Sequence, residues 1–218
     1  NKLRGRGIFG SVEEKILEGS SPDLKVLEIA VQEKATGEIS AGAGVGTQGT
    51  SFMFSVTENN WLGKGVELET SLNISEEKIS GSFSLVDPNY HYSGNSVFGS
   101  VNLSSTDKAQ SSGYTSKRTG IQFGTQFEQY ENIFFAPSID MSFEDIEVEA
   151  DANTTLKQME GTYENLDFKY GIIFDQRNQT YQPTGGYISK FNQILPVIAD
   201  KSSIMNQFTL TGYHGYSE

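Results

Sequence analysis

The sequence predicts an all-β protein whose main part is a transmembrane antiparallel β-barrel. Apolar and polar residues alternate with a period of two along much of the chain, whereas no amphipathic helix of useful length emerges. No apolar run approaches the roughly 18 residues that a membrane-spanning helix needs, and the longest stretches resemble Ile172-Ile173-Phe174. A spanning β-strand needs only about 10 residues of alternating character, so strands remain as a way to cross a membrane.

About ten segments alternate in this way, and hairpin-length links between them indicate antiparallel pairing. One face of each segment is apolar, and the other carries Ser, Asn, Gln or charge. In residues 166–174, for example, Phe168, Tyr170 and Ile172 are expected to meet lipid while Asp167 and Lys169 face a wet lumen. The predicted strands are residues 37–47, 52–56, 66–74, 79–85, 97–103, 121–127, 135–143, 166–174, 187–195 and 204–213.

This alternation fits two architectures, a soluble β-sandwich with its apolar face inward and a membrane barrel with its apolar face outward. Two details favour the barrel. The strands reach ten residues, longer than the usual 5–6 or so of soluble sheets. The links also alternate between a compact set (59–65, 87–95, 129–132 and 175–186) and long polar segments at 105–119 and 144–164. Short turns at one end and long loops at the other are typical of outer-membrane barrels.

The first 36 residues have a different pattern. Residues 11–18 and 24–34 predict two strands joined by a turn cluster at 19–23, and residues 1–4 predict the tail of a helix that ends at Gly5 and Gly7. We therefore expect residues 1–36 to be the C-terminal part of an α+β module and residues 37–218 to be the N-terminal part of a barrel. Both chain ends look cut, so we expect a fragment of a longer protein.

The composition excludes several classes of function. The 16 Lys and Arg against 28 Asp and Glu give a net charge of −12, which argues against a nucleic-acid-binding protein because such proteins need a basic face. The chain has no Cys and only two His, so thiolate and His-rich metal sites are excluded. The acidic run that starts at Glu144 and ends at Asp151 is interpreted as a solvated loop rather than a Ca²⁺ site. We expect no enzyme, no metal and no cofactor.

One glycine-rich motif needs a separate interpretation. Residues 44–49 match the G-x-G-x-x-G pattern of dinucleotide sites, which requires a helix directly after it. The next residues, TSFMFSV, alternate like a strand, so the nucleotide interpretation is rejected. Because interior glycine weakens a strand, the preferred interpretation is a weak edge strand.

Several segments together resemble the BamA family of outer-membrane protein assembly factors, a POTRA-plus-barrel insertase superfamily. VQEKATGEISAGAGVGTQG resembles the passage from the last POTRA module into the first barrel strand, and RGRGIFGSVEEKILEGSSPDLKVLEIAVQEK resembles the end of that module. SVTENNWLGKGVELE and SLVDPNY resemble the first two periplasmic turns. DQRNQTYQPTGG resembles a later one, with Asp175, Arg177, Pro183 and Gly186 as its structural residues.

The resemblance implies a function in assembling β-barrel proteins in the bacterial outer membrane, with the N-terminal part in the periplasm. The implied partners are nascent outer-membrane β-barrel proteins, assembly-complex lipoproteins and membrane lipid. The implied site is the first barrel strand, whose edge would template client strands as a lateral gate: Glu38, Ile39, Ser40, Ala41, Gly42, Ala43, Gly44, Val45 and Gly46. Two alternatives stay open, a translocation or secretion pore of the same superfamily and a soluble β-sandwich binding domain.

Overall fold

The computed structural model describes residues 8–21, 23–46, 49–180, 182–199 and 203–215. Nearly all of the regular structure in these ranges is β-strand. The helix tail expected at residues 1–4 lies outside the described residues. None of the helices in these ranges has the length and apolar character needed to cross a membrane.

Twelve strands follow one another along the described chain. Each of the ten predicted barrel segments overlaps one strand from β3 to β12, so that part of the prediction is confirmed; residue 47 lies outside the described residues. The strands are β1 Phe9–Glu18, β2 Lys25–Glu33, β3 Gly37–Gly46, β4 Gly49–Trp61, β5 Val66–Ser75, β6 Lys78–Asp87, β7 Ser96–Lys108, β8 Tyr114–Tyr130, β9 Ile133–Val148, β10 Gly161–Asp175, β11 Gly185–Ile198 and β12 Met205–His214. Single helical turns lie at Tyr90–Tyr92, Ala109–Ser112 and Thr154–Lys157.

The strands form two sheets. β1 and β2 pair with each other, and β3 to β12 form a ten-stranded sheet in which each strand pairs with its neighbours in sequence. Every pairing is antiparallel, as predicted. β3 and β12 are the two ends of the strand order. This meander is the topology of a barrel wall.

The two faces of the large sheet differ in chemistry and in curvature. Residues directly opposite each other share a face, and one such row across β8 to β12 is wholly apolar: Phe127, Phe135, Ile172, Phe191 and Phe208. On the other face Ser142 is 3% exposed, whereas its neighbour Phe143 on the apolar face is 46% exposed. The sheet therefore curls toward its polar face. The apolar side chains lie on the convex side, as the lipid-facing surface of a barrel requires.

The burial pattern excludes the soluble β-sandwich. A sandwich buries the apolar faces of two packed sheets against each other. Among the described residues the buried apolar side chains are Ile8, Leu68 and Ile188, while most large apolar side chains on the convex face are partly or largely exposed. Such a surface is stable only when something apolar, such as lipid, covers it.

The predicted long loop at 105–119 is wrong in most of its length, and the one at 144–164 is wrong at both ends, since β9 continues to Val148 and β10 begins at Gly161. β7 continues to Lys108 and β8 begins at Tyr114, so residues 105–119 are mainly strand. β9 continues to Val148, which places the first acidic residues of the 144–151 run in a strand rather than in a loop. The cause is that residues 105–108 and 115–119 contain no large apolar side chain, whereas in residues 144–148 Ile146 and Val148 lie on the face opposite that of Phe143, so the apolar alternation of the lipid face stops. These stretches still pair, with Arg118 opposite Glu144.

Candidate strand-pairing edge and turn cluster

All nine residues proposed for the pairing edge lie in β3, at one end of the ten-stranded sheet. β3 pairs with β4 over its whole length, from Gly37 opposite Glu58 to Gly46 opposite Gly49. No strand of the described residues pairs with its other side. The backbone groups on that side are therefore open to another strand.

The side chains of β3 make few contacts within the sheet. Ile39, Ala41, Ala43 and Val45 lie on the apolar face, where Ile39 is 82% and Val45 is 87% exposed. Glu38, Ser40, Gly42, Gly44 and Gly46 lie on the polar face. With so little side-chain burial, β3 is held mainly by its backbone ladder to β4.

The glycines of β3 are not required by steric crowding. A Cβ added at Gly42 or Gly46 would meet no atom of the described chain within 4 Å, and one at Gly44 would meet Ser51 Oγ at an ordinary 3.5 Å. None of the three has a positive φ. A glycine inside a strand costs about 0.5–1 kcal/mol of stability relative to alanine. Since alanine would fit at these positions, the three glycines make β3 less stable than steric constraints require.

A cleft lies against the polar face of β3, β4 and β5. Its volume is about 500 Å³, and its lining includes Gly42, Gly44, Ser51, Met53 and Asn73. The inner surface of β3 is thus unpacked as well as its outer surface. Neither face of the strand is held by a dense set of contacts.

The base of β3 is attached more firmly. The Thr36 hydroxyl donates a hydrogen bond to the Glu58 carboxylate, which also accepts the Asn60 N–H at 2.7 Å. The Asn59 backbone N–H and side-chain amide both donate to Thr36 O at 3.3 Å. Sequence reasoning did not assign Thr36 a role, although Glu58-Asn59-Asn60 already stood in the recognised turn motif. β3 is therefore fixed at its N-terminal end and makes few side-chain contacts beyond it.

The apolar band on the convex face is shorter on β3 and β4 than on β9, and on β3 it runs over six residue steps, from Ile39 to Val45, or about 15 Å. On β9 it runs over ten residue steps, which at the usual strand rise and a tilt of about 40° spans about 25 Å. On β4 it runs over only four steps, or about 10 Å. The residues that define the two widths are Ile133, Phe135, Pro137, Ile139, Met141 and Phe143 on β9, and Phe52, Phe54 and Val56 on β4.

The four predicted turn residues come together between β10 and β11, where an ion pair fixes the start of the turn. Arg177 Nε donates to Asp175 Oδ1 at 2.8 Å and Arg177 Nη2 donates to Asp175 Oδ2 at 2.6 Å. Asp175 Oδ1 also accepts the backbone N–H of Arg177 at 3.1 Å. The hydrogen bond to the Asp175 carboxylate raises the pKa of the Arg177 guanidinium above its usual value. Such forked, charge-assisted bonds fix geometry as well as charge.

The end of the turn is fixed by backbone contacts. Asn178 Oδ1 accepts the N–H groups of Thr184 and Gly185, each at 3.2 Å. Gly186 has φ of 93°, and a Cβ there would lie 2.0 Å from the carbonyl oxygen of Gln176, so only glycine fits. Pro183 lies in the loop two residues before β11 begins. The contacts among the described residues of this turn are structural.

A family model described as the Omp85 superfamily domain matches residues 36–218. This chain belongs to the Omp85 superfamily. The match covers β3 to β12 and therefore the whole ten-stranded sheet of this Omp85 domain. The superfamily includes insertases and secretion pores.

Two solved structures share the fold of this Omp85 chain. BamA from Haemophilus ducreyi lacking POTRA domains 1–3 aligns with a TM-score of 0.71 at 19% identity, over 97% of this chain and 44% of that one. CdiB from Acinetobacter baumannii aligns with a TM-score of 0.56 at 9% identity, over 95% of this chain and 41% of that one. The chain spans about two fifths of the length of these structures. The family and the shared fold support a β-barrel in the bacterial outer membrane.

Proposed function

We propose that this chain is the first part of the barrel of an outer-membrane insertase, which assembles other β-barrel proteins into the membrane. Residues 37–218 are the N-terminal part of the barrel, and residues 1–36 are the end of its last POTRA module, in the periplasm. The position of β1 and β2 in a separate sheet supports this division.

The observation that carries the proposal is the open, weak edge of β3. In lipid an unpaired backbone N–H or C=O group costs several kcal/mol, so an open edge takes up a strand that satisfies it. Residues 38–46 offer such an edge, and their small side chains hold it weakly against any strand that closes it. A client strand then pairs by β-augmentation, which reads backbone groups rather than side-chain chemistry.

The narrow apolar band beside β3 supports the same function. A band of about 10 Å on β4 is much shorter than the hydrocarbon thickness of a typical bilayer, about 30 Å. Lipid beside such a band thins or disorders to match it. A client strand that enters there crosses less hydrocarbon before its backbone groups are paired.

The remaining features fit a protein that changes no covalent bonds. The polar, wet inner face gives clients a lumenal surface. The turn that contains Asp175, Arg177, Pro183 and Gly186 is a rigid periplasmic rim, close to where assembly lipoproteins deliver clients. We therefore assign no enzyme activity, no metal and no cofactor, with client barrel proteins, assembly lipoproteins and lipid as the partners.

The test is a substitution that damages only the backbone edge. Gly44→Pro in the full-length protein removes an N–H donor and fixes φ, so β3 pairs normally with neither its closing strand nor a client. Assembly of other barrels should fail. Ala43→Ser is the matched control, because it changes a neighbouring side chain and leaves the backbone row intact.

Crosslinking supplies the positional readout. Cysteines placed along residues 40–45 and on a stalled client should form disulfides in one register, with every second position favoured because strand side chains alternate. Normal assembly by the Gly44→Pro protein, or an absence of crosslinks along residues 40–45, would show that β3 is not the templating edge.

A translocation or secretion pore of the same superfamily is the second candidate. The shared fold with CdiB and the wet concave face favour it. A disulfide that locks β3 to its closing strand separates the two functions. The lock stops an insertase, which must open the seam, but leaves a pore conducting through its lumen.

A further inference from the structure

Three polar side chains form a continuous row on the apolar, convex face of the sheet. Tyr170 on β10 lies directly opposite Gln193 on β11, which lies directly opposite Asn206 on β12. Tyr170 Oη donates to Gln193 Oε1 at 2.8 Å, and Gln193 Nε2 donates to Asn206 Oδ1 at 2.6 Å. The three groups make one hydrogen-bonded chain across three strands.

This polar row lies inside the apolar band. The row on one side of it contains Ile172, Phe191 and Phe208, and the row on the other side contains Ile139, Phe168 and Leu195. An amide in hydrocarbon without a hydrogen-bond partner costs several kcal/mol. Each member of the row is tolerable there only because the next member satisfies it.

Asn206 is the last member of the row, and it lies on the edge strand β12. Its amide has two polar ends, and the contact with Gln193 uses one of them. Among the described residues nothing partners the other end. The unused group lies in the apolar band beside an open backbone edge, which is where a further strand would pair.

We propose that the Tyr170–Gln193–Asn206 row is an in-membrane recognition surface for the strand that closes onto β12. The occupant is a later segment of the same protein, and its lipid-facing residue opposite Asn206 carries an uncharged hydrogen-bonding side chain. Two observations select this occupant. The open backbone edge of β12 must be paired in lipid, and the aligned BamA chain is more than twice as long as this one. The proposal rests on the barrel in the outer membrane and not on the insertase function.

The polar row specifies the register between β12 and the next strand, which apolar alternation alone does not fix. A slip of one residue turns the polar face toward lipid and is excluded by the alternation itself. A slip of two residues keeps both faces correct, so alternation does not oppose it. With the row present, that slip places the Asn206 amide and its intended partner each opposite an apolar group. The row therefore selects one register from those that alternation allows.

The experiment measures the register of the strand next to β12 in the full-length protein in outer membranes. Thr209 lies on the polar face of β12, away from the row, and Thr209→Cys supplies one thiol. The second cysteine is placed on the following strand, either opposite residue 209 or two residues away. The described part of the barrel adds no competing thiol because the chain contains no Cys.

The in-register disulfide should dominate in the parent protein. Asn206→Leu should lower the ratio of in-register to shifted product roughly three- to twentyfold, the range expected for one side-chain hydrogen bond in a membrane. Gln207→Leu is the matched control, since it removes the same kind of amide from the polar face of the same strand, and it should leave the ratio unchanged. Asn206→Gln keeps an amide and should retain most of the parent ratio.

Folding of each variant is checked by heat-modifiable migration on gels. Where Asn206→Leu lowers the yield of folded barrel, Asn206→Ala removes the same amide and is measured in the same way. An unchanged ratio in Asn206→Leu and Asn206→Ala, an equal loss in Gln207→Leu, or an apolar residue opposite position 206 would overturn the proposal.

Discussion

The most informative perturbation strengthens the first barrel strand instead of damaging it. The double variant Gly42→Ala with Gly44→Ala adds two methyl groups on the polar face of β3. The added Cβ at 42 meets no described atom within 4 Å, and the one at 44 meets Ser51 Oγ at 3.5 Å, so neither creates a clash. Each substitution should stabilise the strand by about 0.5–1 kcal/mol by removing the excess flexibility of glycine.

The two changes together amount to about 1–2 kcal/mol in favour of the ordered, closed strand. If opening of the seam requires β3 to release its closing strand, the open population falls about five- to thirtyfold. The assay is the rate of client assembly in vesicles that contain the full-length protein and its lipoproteins, with the free energy of unfolding in urea measured in parallel. The expected result is a more stable protein that assembles clients more slowly.

Gly120→Ala is the matched control. Gly120 lies on the polar face of β8, far from β3 in the strand order, and an added Cβ would approach Asn102 no closer than 4.0 Å. This variant should gain stability without losing assembly rate. A double β3 variant that is stabilised and yet assembles clients at the parent rate would refute the view that glycine keeps the seam weak.

Three further predictions concern the barrel wall. Ile172→Arg should destabilise the protein by about 2–4 kcal/mol if residue 172 lies at mid-bilayer. Ile173→Arg, on the wet face, should destabilise it much less. A spin label at residue 172 that is quenched by aqueous rather than lipid-soluble reagents would contradict the assignment. Gly186→Ala should destabilise the turn by more than about 2 kcal/mol, because φ is 93° and the Cβ would overlap the carbonyl oxygen of Gln176. Gly185→Ala should change the free energy of unfolding in urea little. Equal effects of the two substitutions would exclude the steric explanation. Residues 1–218 alone should not form an SDS-stable closed monomer, because β3 and β12 leave two edges; protease-resistant monomers on gels would show otherwise.

Alternation was a sufficient guide to the strands only where the two faces meet different solvents. The segment 166–174 was assigned correctly because Phe168, Tyr170 and Ile172 face one side and Asp167 and Lys169 the other. Past the apolar band, β8 has few apolar side chains, and β9 carries Ile146 and Val148 on the face opposite that of Phe143, so the alternation expected of a lipid-facing strand stops. Residues 105–119 and 144–164 were therefore mistaken for loops, although backbone pairing continues through much of them.

Some features of the candidate site were also predictable from the sequence. Glycine at 42, 44 and 46 indicated a weak strand, and its place at the sheet end followed from its being the first strand of a meander. Whether crowding or function explains those glycines was not decidable from sequence, since it depends on which atoms surround each position. The structure shows that crowding does not require glycine at residue 42, because a Cβ there would meet no described atom within 4 Å.

The sequence by itself determined the all-β class, the ten strands of the large sheet and, within the apolar band, the face on which a side chain lies, because these depend on residue spacing within single strands. The tertiary structure alone decided the features that depend on register between strands. These are the anchoring of Thr36 by Glu58 and the row formed by Tyr170, Gln193 and Asn206. The physical reason is that a hydrogen bond between side chains on different strands depends on the register of those strands. Alternation with a period of two is unchanged when one strand shifts by an even number of residues, so it does not fix that register.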